Sequence, residues 1–305
     1  MVRLDCLIHL RYKVHTPSTL VLNIEPAISP HQTVVREQID IRGETGMCDG
    51  LIHQDGTRLL RIPAMGSVEI ESRFVVDIQH ATHDPRTLAE MPVHALPLST
   101  LPYLAPSRYC ESDALMPAAL RAFGQQPPGY RRIVAIARWV REQIAFDPDA
   151  SGPHAAGPQA SAVDTLASRR GGSRDMAHLM IALCRALNVP ARLVSSIDSG
   201  SGRAAATGRP AEDFHAHVEV FLSGRWYLFD PTGIAATTGH VRLGTGRDAT
   251  ETASATVFGS ATCVARRVQA RALEDLSSDI RLPRPTDLPI STSRAIPTTA
   301  PAIAA

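Results

Sequence analysis

The residues able to do chemistry concentrate in two stretches, SRRGGSRDMAHLMIALCRAL and DFHAHVEVFLSGRWYLFDPTG. In the first, Gly171 and Gly172 permit close backbone approach just ahead of Ser173. The amides opening the following helix are unpaired donors at the positive end of its dipole. A nucleophile at Ser173 would find donors ready for a developing oxyanion. Serine is also a preferred N-cap, and Asp175 suits a first helical turn, so the residue types leave cap and nucleophile both open.

In the second stretch, a two-residue loop at Ser223–Gly224 would pair residue 222 with 225. Asp230 would then lie opposite His217 and diagonal to His215, all on one face of the hairpin. Diagonal neighbours are about 7 Å apart at the backbone, within reach of a carboxylate–imidazole hydrogen bond. A carboxylate steadying an imidazole is the orienting half of a nucleophile–base–orienter triad. A three-residue loop would turn Asp230 to the opposite face. His215 and His217, at i and i+2, could instead be two metal ligands, with His178 or Asp213 as the third. No recognisable spacing supplies that third ligand, so no metal site is expected. His178, about 140° around the helix from Ser173, reads as a hydrogen-bonded interior histidine, and Glu219 as a satisfied polar group.

These residues need elements to hold them. Residues 173–187 read as a helix apolar nearly all round, hence central and buried, ending at Asn188–Pro190 before a strand. YRRIVAIARWVREQIAF is an amphipathic helix, with Ile133, Ile136, Ala137, Val140 and Ile144 at three- and four-residue steps. Before it, short alternating segments (LDCLIHLRYKV, TLVLNIEPA, TVVREQIDI, RLLRIPA, SVEIESRFVVDI) predict an antiparallel β-sandwich. The expected organisation is an N-terminal β-sandwich over residues 1–80, a Pro-rich surface connector over 81–106, an α+β core over 107–275 and a disordered tail over 276–305.

With 305 residues, 44% hydrophobic and net charge +1, the chain has no global field to recruit nucleic acid or an anionic membrane. No apolar run approaches the ~20 residues that span a bilayer. The start, MVRLDCLIHLRYKV, is too interrupted by charge for a signal peptide, and a cytoplasmic location is expected. The five cysteines (Cys6, Cys48, Cys110, Cys184, Cys263) are odd in number and widely spaced, which argues against a disulfide framework or zinc knuckle. No Asp-rich loop offers a calcium site.

RRGGSRDMAHLMIALCRALNVPARLVSS followed by DFHAHVEVFLSGRWYLFDPTG resembles the core of the bacterial transglutaminase-like superfamily. The resemblance extends through the helix at 130–146, the LPYLAPSRYCESD segment and the TGRDA run. It implies a papain-like fold with an N-terminal β-domain, acyl transfer or hydrolysis at a peptide or protein amide, no cofactor, and a catalytic set of Ser173, His215 and Asp230. Ser173 occupies the position where the family carries cysteine. His217 stands at a family tryptophan and Met176 at a family aromatic.

A thiol at a helix N-terminus beside an imidazolium is a standing thiolate, whereas a hydroxyl must lose its proton to the base as it attacks. Cys184 cannot stand in, being about 16 Å along the helix from Ser173. Three readings follow: a Ser-His-Asp amide-directed enzyme, a catalytically silent cleft that binds a peptide or protein partner, and a Cys-to-Ser variant of a cysteine enzyme.

Overall fold

The computed structural model describes residues 1–148, 150, 160–199 and 214–296. Four strands open the chain: β1 (Val2–Leu22), β2 (Gln32–Thr45), β3 (Asp49–Ile52) and β4 (Arg58–Ile78). The connector carries β5 (Ala81–Thr82) and three 3-10 turns. Then come α1 (Ser112–Phe123), α2 (Tyr130–Gln143), β6 (Ala145–Phe146), α3 (Ala162–Ser168), β7 (Arg170–Gly171) and α4 (Ser173–Ala186). The remainder is strand: β8 (Ala191–Asp198), β9 (His215–Leu222), β10 (Arg225–Phe229), β11 (His240–Gly246), β12 (Ala255–Phe258), β13 (Ala261–Leu273) and β14 (Ile290–Ser291). The fold is α+β, and its two large sheets are antiparallel.

In the N-terminal sheet β1 pairs on one side with β4 and on the other with β13 and β12, while β2 and β3 flank β4. Alternation builds it: Leu4, Cys6, Ile8, Leu10, Tyr12 and Val14 are buried while Arg11 and Lys13 are exposed. Two expected strand pairs are each one long strand. Pro17 falls within the shift of pairing between Val14 and Ser18, so the proline bends β1 instead of ending it. The partners β12 and β13 come from the far end of the sequence.

The second sheet runs β11-β8-β9-β10-β14-β5, and α4 packs on it. Met176, Leu179, Met180, Ile181 and Leu183 of α4 are at most 1% exposed. Each contributes about 1.5–3 kcal/mol by leaving water. Asn188, at φ 60, turns the chain out of the helix, and Pro190 prevents its resumption. The β9–β10 turn is Ser223–Gly224 with φ 45 and 78, the left-handed pair that a two-residue hairpin demands.

The connector is tied down more firmly than a surface strap. Leu96 packs with Phe221 and Trp226, and Glu90 pairs with Arg132 of α2 with both side chains buried. Residues 276–296, expected as loose chain, include β14, where Ser291 pairs with Tyr227. Residues 297–305, most of the loop before α3, and the segment 200–213 with Asp213 lie outside the described residues. Among the described residues no helix is long and apolar enough to cross a membrane.

Candidate active site

The approach to α4 is built on small residues. A Cβ on Gly171 would sit 2.8 Å from Asp175 Cβ and 3.3 Å from Thr165 Cγ2, so glycine alone lets β7 run this close to the helix. Gly172 is the N-cap and donates its N–H to Asp175 Oδ2 at 3.0 Å. Ser173 is therefore the first helical residue, and the capping role open to it in the sequence falls one residue earlier. Its hydroxyl is half-buried and accepts from Ala216 N–H at 3.3 Å, across on β9. That bond sets Oγ against the backbone next to His215, beside the first-turn amides, which have no acceptor within the helix itself.

The hairpin register is the one expected. Arg225 faces Leu222 and Phe229 faces Val218, which carries Asp230 opposite His217. His215 Nε2 lies 3.3 Å from Asp230 Oδ1, both side chains buried. Asp230 is otherwise saturated: Oδ1 also accepts from Thr232 N–H at 3.0 Å and its hydroxyl at 2.7 Å, and Oδ2 from Ala235 N–H at 2.9 Å. Burial opposes its charge, yet His215, His217 and the Thr232 hydroxyl hold the carboxyl well below the usual range. The carboxylate is ionised wherever the protein is folded near neutral pH.

Several partners were not visible in the sequence. Asp198, at the end of β8, places Oδ2 at 3.7 Å from His215 Nδ1. Ser196 donates to the His215 carbonyl at 3.1 Å, and its Oγ lies 2.9 Å from His217 Nδ1. His240, opposite Asp198 on β11, has its ring centroid 4.7 Å from that of His217, which is 4.6 Å from that of His215. His80 stacks on His240 at 5.4 Å. Burial pushes His240 and His80 down to about 3, each helped by neighbouring imidazoles, so both are neutral near pH 7. Arg141 of α2 donates to the Asp230 carbonyl at 3.2 Å and braces the loop after β10. Asp198, Ser196 and His240 arrive through β8–β9 and β11–β8 pairing, which joins segments too far apart in sequence for a turn to declare the register.

Glu219 is a satisfied polar group and His178 a hydrogen-bonded interior histidine, as expected, the latter through Nε2 alone. Glu219 takes Arg192 at 2.6 Å and Arg242 at 3.3 Å. Burial works against its charge, but the two guanidiniums bring it down to about 2. His178 Nε2 accepts from Ala249 N–H at 3.1 Å, and the ring stacks on Tyr109 at 5.2 Å, so it is not a third ligand beside His215 and His217. Asp230 is instead the residue that joins them: one donor atom from each of His215, His217 and Asp230 lies within 4.8 Å of the others. Cys184 is buried with its thiol pushed above the ordinary range.

Residues 117–231 match the family model described as transglutaminase-like superfamily. A solved structure from Cytophaga hutchinsonii, provisionally described as a cysteine protease, is 30% identical with a TM-score of 0.84, the match covering 95% of this chain and 97% of that one. A curated Mycobacterium leprae protein, described as uncharacterized, is 30% identical over 152 residues, which is 49% of this chain and 52% of that protein. The chain thus spans about half the length of that curated relative. The periplasmic domain of TgpA from Pseudomonas aeruginosa is 19% identical at a TM-score of 0.34, covering 75% of this chain and 77% of that one.

Proposed function

We propose that this chain, which belongs to the transglutaminase-like superfamily, acts on peptide or protein amides through an acyl-enzyme formed on Ser173. The observation that carries this reading is the convergence of two elements: the helix-opening hydroxyl bonded beside His215, and the His215–Asp230 pair at 3.3 Å. Asp230 occupies Nε2 of the imidazole, so Nδ1 is the nitrogen that takes the proton of Ser173 as Oγ attacks the amide carbon. The imidazolium so formed has Asp230 on one side and Asp198 on the other. The first-turn amides of α4 receive the oxyanion. His215 then protonates the leaving amine, and water or an amine, deprotonated by His215, releases the acyl group from Ser173.

A peptide substrate is favoured by the Cytophaga hutchinsonii protein, similar over nearly the whole chain and provisionally described as a protease. The oxygen nucleophile carries a rate cost, because a misplacement of about 1 Å can lose ~10²-fold. The test is turnover of short peptide amides by wild type and by Ser173→Ala. The reading expects turnover in the first and none above background in the second; equal rates end it.

A second reading, a silent cleft that binds peptide, draws on the Ser173 oxygen accepting a backbone N–H from Ala216, which ties down a lone pair that attack requires. It expects peptide affinity that survives Ser173→Ala with no turnover in either protein.

A further inference from the structure

The residue at the family's tryptophan position gives the site a second capability. Ser196 has one hydroxyl proton, and its oxygen lies 3.1 Å from the His215 carbonyl and 2.9 Å from His217 Nδ1. With that proton on the carbonyl, the oxygen accepts from Nδ1–H and leaves Nε2 of His217 with the lone pair. This is the tautomer a metal-ligating histidine needs, fixed by a hydrogen bond from its other nitrogen. His215 has the same arrangement in prospect, since Asp198 Oδ2 stands 3.7 Å from its Nδ1. Asp230, an ionised carboxylate, supplies the third donor: Oδ1 is 3.3 Å from His215 Nε2, and a metal there takes the place of the rotatable Thr232 hydroxyl proton. Donors about 2.1 Å from a tetrahedral ion are roughly 3.4 Å apart, so two of the three stand at ligating separation. The third lies within 4.8 Å of both, so binding must draw it in by up to about 1.4 Å.

We propose that His215, His217 and Asp230 bind one divalent transition metal of the zinc class, with Ser196 and Asp198 orienting the two imidazoles. Two nitrogens and one carboxylate oxygen are the donor set that suits zinc, leaving a fourth position for water. Ligation at His215 Nε2 sends the imidazole proton to Nδ1, the nitrogen that must be bare to deprotonate Ser173. Metal occupancy and base chemistry at His215 therefore exclude each other. This consequence rests on the proposed function; the binding itself does not.

The test titrates zinc, by competition with a chromophoric chelator, and cobalt(II), by its visible absorption, into the full chain free of any histidine tag. Wild type and Ser173→Ala are expected to bind one equivalent at micromolar concentration or below. His217→Phe should weaken binding by at least ~10²-fold, and Ser196→Ala by about 10–100-fold, the usual range for an orienting partner. Should His217→Phe unfold, His217→Gln and the zinc-induced rise in Tm of wild type give the same information. Failure of wild type to bind, or binding by folded His217→Phe or His217→Gln equal to wild type, overturns the site. In a parallel arm, zinc should block fluorophosphonate labelling of Ser173 in wild type, and removal of zinc by a chelator should restore it. Zinc that binds and leaves labelling unchanged overturns the exclusion. Absence of labelling without zinc counts against the acyl-enzyme reading and leaves the binding result standing.

Discussion

The carboxylate of Asp230 holds the loop that follows its own strand and, with the same oxygen that Thr232 bonds, meets His215 Nε2 at 3.3 Å. A turn residue and an orienting residue are thus one side chain, and Asp230→Asn separates the two roles. Asparagine keeps an acceptor for Thr232, sets an amide NH2 against the Ala235 N–H, and removes the charge that steadies an imidazolium. The acylation rate of the folded protein should fall by about 10²–10⁴-fold, with Tm falling as well for the lost Ala235 bond. A purely structural Asp230 would move Tm and leave the rate of folded protein alone.

Acid should unfold this protein early. His80, His178 and His240 are pushed down to about 3, by burial first and by neighbouring charged or imidazole groups second. Unfolded histidine takes up a proton near pH ~6.5. Between about 6.5 and 3 the unfolded chain binds more protons than the folded one, so stability rises with pH and is lost on acidification. Each histidine contributes a slope of about 1.4 kcal/mol per pH unit in that window. Denaturant midpoints at pH 7 and pH 5 check this: a steep loss at pH 5 is expected, and equal midpoints contradict it.

Glu219 lies between two buried guanidiniums, 2.6 Å from Arg192 and 3.3 Å from Arg242. Glu219→Gln leaves both cations without their counter-charge in the interior. A loss of roughly 3–5 kcal/mol is expected in urea melts. A loss under about 1 kcal/mol would mean that water reaches this face of the sheet.

Gly171→Ala places a methyl 2.8 Å from Asp175 Cβ, on the stem of the residue that closes the N-terminus of α4. Relief requires backbone movement, at about 1–3 kcal/mol. Because that movement shifts Ser173, the rate of folded protein should fall as well as Tm. Measured together, a drop in Tm with an unchanged rate would detach Gly171 from the positioning of Ser173.

Much of this arrangement is legible in the sequence. Ser223–Gly224 reads as a two-residue turn, and with that register in place of a three-residue loop the meeting of His215 with Asp230 follows by counting. The apolar circumference of α4 marks it as central. What escaped depends on pairings between distant segments. Asp198, Ser196 and His240 face His215 and His217 only because β8 and β11 come alongside β9, and no turn in the chain announces those registers. β1 hides in the same way: Pro17 reads as a terminator, yet β4 runs on beside it and the strand resumes after a shift. At Ser173 the discrepancy is one residue, since Gly172 takes the cap and the hydroxyl reaches the neighbouring strand.

Fluorophosphonate labelling read by intact mass and peptide mapping tests the catalytic claim most directly. Wild type should gain a single adduct on Ser173, and both Ser173→Ala and His215→Ala should gain none under the same conditions. An unlabelled wild type, or an adduct on Ser173 that persists at full rate in His215→Ala, would contradict an imidazole-activated serine.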